Sequence, residues 1–159
     1  MKIKNILACM LFMAHGAFAA EITLNEHVKY QDEKIIQSNI RDECAGLGNQ
    51  FSQATSVALQ SNGWSVIKKS EVDSAAPGVN LKLTILNAFS AGNAFTGHRK
   101  SVAIVAELFK DGQLIGTYNQ TRNSSGGFGA GFKGSCDVLE RCVNTLGKDV
   151  AKWMKSQKI

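Results

Sequence analysis

Asp111-Gly112 stands between two β-prone runs, Val102 to Phe109 and Leu114 to Arg122, and no other feature limits the fold of this chain so tightly. A two-residue link between antiparallel strands takes a type I′ turn, in which both turn residues have positive φ, and Asp-Gly is one of the few pairs that tolerate it. The chain is therefore expected to reverse there and pair the two runs as a hairpin. Upstream, Val79, Leu81, Leu83 and Ile85 alternate with Asn80, Lys82 and Thr84, the period-two pattern of a strand with one buried face. Val102 to Phe109 is apolar on both faces and reads as a central strand. Strands over 79–88, 102–109 and 114–122 then form an up-down meander.

Two helices complete the pattern. Leu47, Phe51, Ala54 and Ala58 recur at helical spacing, widened by Val57 and Leu59, until Asn62-Gly63 supplies a stop. Beyond residue 135, Leu139, Cys142, Val143, Leu146, Val150, Trp153 and Met154 form a second apolar stripe, with Asp137 and Glu140 as a capping box. Lys148, Lys152 and Lys155 fall on its solvated face near the C-terminus, where cations suit the helix dipole. Trp64 to Lys68 reads as a strand, and Ile22-Thr23-Leu24 and Lys34-Ile35-Ile36 as one or two edge strands. The expected class is α+β, an antiparallel sheet of four to five strands packed against two helices. With 159 residues, 44% hydrophobic, and a single Pro, the chain suits one globular domain rather than a disordered or collagen-like one.

The first residues carry an address. Lys2 and Lys4 precede an apolar run, Ile6 to Phe12, which passes through small residues to Ala17-Phe18-Ala19, an A-x-A cleavage site. Residues 1–19 are expected to be a secretory signal peptide and 20–159 a single periplasmic or secreted domain. Ile6-Leu7-Ala8-Cys9 looks like a lipobox, the mark of an outer-membrane lipoprotein. Only about four apolar residues precede that cysteine, short of the usual run of roughly 7 to 15. No stretch reaches the ~20 apolar residues that a membrane-spanning helix needs. Removal of Lys2 and Lys4 leaves 16 basic against 13 acidic residues, a formal +3. That excess is too mild for the dense basic stripe of a nucleic-acid binder.

The mature chain keeps Cys44, Cys136 and Cys142 in a compartment that oxidises thiols, so one bridge and one spare thiol are expected. If Cys136 and Cys142 sat in one helix they would lie about 9 Å apart along its axis, beyond the roughly 7 Å that a disulfide spans. Cys142 falls on the apolar face of the last helix, where a small buried thiol is an ordinary core residue. Cys44 with Cys136 is the favoured pair, although the meander places the two helix entrances at opposite ends unless the chain crosses over. No metal or other cofactor is expected, since His27 and His98 are isolated and neither CxxC nor HExxH occurs.

Two segments stand out as candidate working loops, 90–100 and 123–135, which the meander brings to the same end of the sheet. Phe95, His98, Arg99, Lys100, Arg122, Phe128, Phe132 and Lys133 would then form one basic, aromatic rim suited to an envelope protein or to an anionic lipid or glycan. The plain alternative is solvated loops. Gly129-Ala130-Gly131-Phe132-Lys133-Gly134 matches G-x-G-x-x-G, but no second parallel strand with its acidic residue follows, so a dinucleotide site is not expected. No G-x-S-x-G elbow occurs, and no carboxylate is placed to orient His98 as a general base.

Gly97-His98-Arg99-Lys100-Ser101, the glycine run from Ser125 to Lys133, and Gly147-Lys148-Asp149-Val150-Ala151-Lys152-Trp153 resemble small secreted or lipid-anchored proteobacterial proteins of unknown function, over roughly residues 79 to 154. The arrangement is similar, more distantly, to the α/β module of curli-assembly lipoproteins and the amino-terminal domain of TolB. That resemblance implies a non-catalytic envelope module acting through protein contacts and carries no catalytic residues over. The chain departs from the lipid-anchored members in having a better signal-peptidase site than lipobox. A non-enzymatic accessory module is the leading expectation. A small envelope hydrolase or thiol-redox protein using His98 or the spare thiol is one alternative, and a structural subunit that self-associates through a sheet edge is another.

Overall fold

Asp111 and Gly112 adopt φ of 50° and 82°, the two left-handed residues of the expected hairpin turn. The turn joins β4 (Gly97–Lys110) to β5 (Gln113–Ser124), and β3 (Val79–Asn93) pairs antiparallel with β4 on its other side. This is a computed structural model that describes residues 19–93, 97–124 and 134–159. β3 and β4 run well past their expected ends: Ser90 pairs with Lys100, Ala91 with Arg99, Gly92 with His98 and Asn93 with Gly97. Most of the segment expected as a loop over 90–100 is therefore strand. Its glycines and small polar residues lack apolar alternation, but ladder hydrogen bonds need only backbone.

β1 (Glu21–Asn25) lies inside the sheet rather than at its edge, parallel both to β3 and to β2 (Ser65–Lys69), in the order β2-β1-β3-β4-β5. The α+β class holds, with an antiparallel meander joined to two parallel pairings. Lys34-Ile35-Ile36 is not a strand. Asp32 Oδ1 accepts the Lys34 N–H at 2.8 Å and turns Glu33–Ile35 into one 3₁₀ turn. The chain after β1 instead continues along the free edge of β3. Asn25 donates from Nδ2 to the Leu83 carbonyl at 2.9 Å and accepts the Leu83 N–H at 2.8 Å, standing in for a paired strand residue. Gln31 N–H then donates to the Ile85 carbonyl at 2.9 Å, and Gln37 Oε1 accepts the Ser90 N–H at 3.2 Å.

Three helices cover one face. A short α1 (Ser38–Glu43) leads into α2 (Leu47–Gln60), and α3 (Ser135–Met154) follows β5. α2 ends as expected, with Gly63 at φ 90° just beyond it. Its buried face differs from the apolar pattern: Ser52 and Thr55 are buried, while Val57 is 50% exposed. Backbone acceptors make that tolerable, since Ser52 Oγ donates to the Asn25 carbonyl at 2.7 Å and Thr55 Oγ1 to the Phe51 carbonyl at 2.8 Å. α3 begins at Gly134, which offers no side-chain cap, so Asp137 is a first-turn acid beside the dipole rather than the start of a capping box.

Ile22, Leu24, Leu81, Leu83, Ile85, Val102, Ile104, Ala106 and Leu108 point into one core with Phe51, Leu59, Leu139, Val143, Leu146 and Val150. The alternate strand residues, among them Lys82, Thr84, Val105, Glu107, Asn119 and Thr121, face away from the helices. Because β1, α2 and β2 form a parallel crossover, α2 runs opposite to the strands, as α3 does after β5. Both helices start at the same end of the sheet, and Cys44 at the end of α1 reaches Cys136 in the first turn of α3, with Cα atoms 5.4 Å apart in a disulfide. The crossover removes the conflict that a meander alone poses for this pair.

α2 and α3 touch most closely at Gly147, where a Cβ would lie 2.7 Å from the Thr55 nitrogen and 2.8 Å from the Ala54 carbonyl carbon. Backbone cannot yield as a side chain does. Gly147→Ala is expected to lower the unfolding free energy by about 1–3 kcal/mol despite the better helix propensity of Ala, read as a lower urea midpoint.

Candidate functional site

The ends of β3 and β5 and the starts of β4, α2 and α3 gather at one end of the sheet, where the disulfide ties Cys44, the residue that caps α1, to α3. Strand pleating sorts the candidate residues, because neighbours in a strand point to opposite faces. Arg99 pairs with Ala91 on the open face, in register with Phe89, Ser101 and Asn123. Lys100 and Arg122 belong to the face that carries the helices. Arg99 and Lys100 therefore do not share a surface.

Lys100 is only 4% exposed, and its Nζ donates to Ser90 Oγ at 3.3 Å. Arg122 is committed to α3: its Nε and an Nη each donate to an Asp149 carboxylate oxygen at 2.7 Å. That two-pronged contact raises the guanidinium above its ordinary value, through the hydrogen bond first and charge second. Lys100 thus ties β4 to β3 in the extended strand ends 90–93 and 97–100, which form an arm of the sheet, and Arg122 ties β5 to α3. His98 pairs with Gly92 in the ladder. Phe95, Phe128, Phe132 and Lys133 lie outside the described residues.

The open face of this end presents a different pair. Phe89 is 40% exposed, and Arg99 is exposed with no ion pair among the described residues. Phe89 sits opposite Ser101, which places Arg99 diagonally across from it, a separation of about 7–8 Å between backbones that both long side chains can bridge. Phe89 was the residue that sequence reading missed. It follows Leu86, Asn87 and Ala88, where a register shift between Ile85 and Asn87 breaks the alternation that would have flagged it.

Elsewhere the titratable groups do structural work. His27 Nδ1 lies 2.7 Å from Asn49 Oδ1 on the surface, tying the chain after β1 to α2. Among the described residues, no three His, Cys, Asp or Glu side chains come together as metal ligands. Lys148, Lys152 and Lys155 line a trough of about 690 Å³ between α2 and α3 with Gln50, Gln53 and Val57, on the side away from Arg99. Among the described residues no helix is long and apolar enough to cross a membrane.

Among the described residues Cys142 is the thiol outside the disulfide, and it is buried. Desolvation pushes its pKa up, the reverse of what a nucleophilic or redox-active cysteine requires. The native protein is expected to leave a chromogenic disulfide reagent unreacted at mildly alkaline pH and to release one equivalent only after denaturation. Rapid reaction of the folded protein would restore the thiol-redox alternative.

No family model and no curated protein sequence matches the chain. Solved structures do match. Protein XCC0632 from Xanthomonas campestris aligns at 11% identity over 86% of this chain and 83% of its own, with a TM-score of 0.53. The PelC dodecamer from Paraburkholderia phytofirmans aligns at 12% identity over 82% and 87%, with a TM-score of 0.51. A minor lipoprotein from Acinetobacter baumannii aligns at 9% identity over 87% and 94%, with a TM-score of 0.49. At these identities the likeness is one of fold.

Proposed function

We propose that this protein is an exported, non-catalytic accessory module that binds an envelope component through the arm end of its sheet. The observation that carries the reading is the exposed Phe89–Arg99 pair on the open face of β3 and β4, set on strands that are braced from behind. The Arg122–Asp149 contact, the Lys100–Ser90 hydrogen bond and the Cys44–Cys136 bridge all lie on or behind this end. An exposed aromatic ring and a guanidinium at diagonal positions on paired strands are residue types in which protein interfaces are enriched. Lys100 and Arg122 stand behind this surface as its frame; His98 and the residues outside the described ones, Phe95, Phe128, Phe132 and Lys133, complete the set proposed for binding. The signal peptide expected over 1–19 and the Cys44–Cys136 disulfide support a periplasmic or secreted location. PelC, on a like fold, is a dodecamer, so a protein of this fold can serve in an assembly.

The test is capture from detergent-solubilised envelope of the native cell by the tagged mature protein, with Phe89→Ser/Arg99→Ala and, as a control on the far side, Lys148→Ala/Lys152→Ala. A component retained by the wild type and the control but lost by the arm variant is the expected result. Equal retention by all three would overturn the assignment. Lys100 is left out of the variant because its replacement would open a buried site and confuse folding with binding.

A further inference from the structure

The two edges of the sheet are built differently. β2, at one edge, is five residues long and carries Lys68 and Lys69, the short length and the charge by which native sheets discourage further strands. β5, at the other, is twelve residues long, Gln113–Ser124, and contains no Lys, no Pro and no acid. Its single charge, Arg122, is turned onto the helix face and neutralised by Asp149. The one irregularity in the β4–β5 ladder falls between Leu108 and Phe109, near the hairpin turn, leaving 116–124 in unbroken register with β4. Among the described residues no strand lies beyond β5.

From this we infer that β5 is a pairing edge whose occupant is β5 of a second copy, antiparallel to the first. Self-complementarity decides the occupant. The two-fold register that pairs all of 116–124 is centred on Gln120, and it sets Asn119 opposite Thr121, Thr117 opposite Asn123, and Arg122 opposite Tyr118 of the second copy. The first two are hydrogen-bonding pairs; in the third Arg122 stays held by Asp149 and Tyr118 by Trp153, so no like charges meet. The strand's one charged side chain is already paired within the monomer, so this edge offers a foreign strand no free charge by which to be selected. This surface lies along β5, apart from the Phe89–Arg99 pair, so its failure would leave the arm reading untouched.

Sedimentation of the mature, disulfide-intact protein over a range of micromolar concentrations tests the inference. The mass is expected to rise toward twice that of the monomer with concentration. Asn119→Lys/Thr121→Lys sets lysines opposite lysines on exposed positions of the edge, and it is expected to raise the dimer dissociation constant roughly tenfold or more while leaving the unfolding midpoint near wild type. Mixing that variant with Asn119→Glu/Thr121→Glu is expected to recover dimers. A wild type that stays monomeric throughout, or a lysine variant that dimerises like the wild type, would overturn the pairing, as would a mixture that fails to dimerise.

Discussion

Replacing both Cys44 and Cys136 by serine is expected to lower the unfolding free energy by roughly 2–5 kcal/mol. The bridge joins residues 92 apart in sequence, and in the chain-entropy model a loop of that length restrains the unfolded chain by about 4.6 kcal/mol. The native side adds a local effect. Cys44 closes α1 and Cys136 lies in the first turn of α3, which starts at Gly134 without a side-chain cap. With the bond gone, the start of α3 rests on Val138 and Leu139 alone in its first turns, so amide exchange there is expected to rise more than in β4. Urea unfolding of the double variant against wild type checks the first result, and site-resolved hydrogen exchange checks the second. An unchanged midpoint would mean that the bridge constrains nothing the fold does not already hold.

Phe51→Ala is expected to cost about 3–5 kcal/mol. Phe51 is fully buried on α2 and among the largest side chains in the core. Its neighbours have little freedom to collapse into the space. The helix is pinned to β1 through Ser52 and the Asn25 carbonyl, and to α3 through the close approach at Gly147. The cavity should therefore persist, and the loss should reach the upper part of the range. Stability for a domain of this size is commonly about 5–15 kcal/mol, so the variant is expected to remain folded with a sharply lower urea midpoint and an unchanged slope. A loss below about 1 kcal/mol would show that α2 can slide to fill the gap.

What the sequence revealed follows from where local chemistry decides. The Asp111-Gly112 turn, the stripe of α3 and the stop at Gly63 are each specified within a few residues, and each is where it was expected. The arm was not legible beyond residue 88 because Ser90, Ala91, Gly92 and Asn93 have no apolar alternation, and their pairing with 97–100 is a property of backbone. β1 was misplaced at an edge because nothing local tells a five-residue strand which neighbours it will acquire. The helix start on which the Cys44–Cys136 pair depends is fixed by that same crossover. At the candidate site, the basic residues were found and their partition was not. Lys100 faces inward and Arg99 outward because β4 carries the alternation of Val102, Ile104, Ala106 and Leu108 unbroken back to its start, and only the pairing with β3 shows that the strand begins at Gly97. Asp149, which holds Arg122, is distant in sequence and lies on the flank of a lysine-rich helix face, where no pattern marks it.

The central claim is that the arm end, and not another part of the sheet, meets the partner. The most direct measurement places a photo-crosslinking residue at Ser101, on the open face between Phe89 and Asn123, and at Gln113, at the far end of the same sheet, and irradiates cells that export each protein. The account predicts a discrete crosslinked product from position 101 that disappears with Arg99→Ala, and none from position 113. A product from position 113 with none from position 101, or from neither, would contradict it.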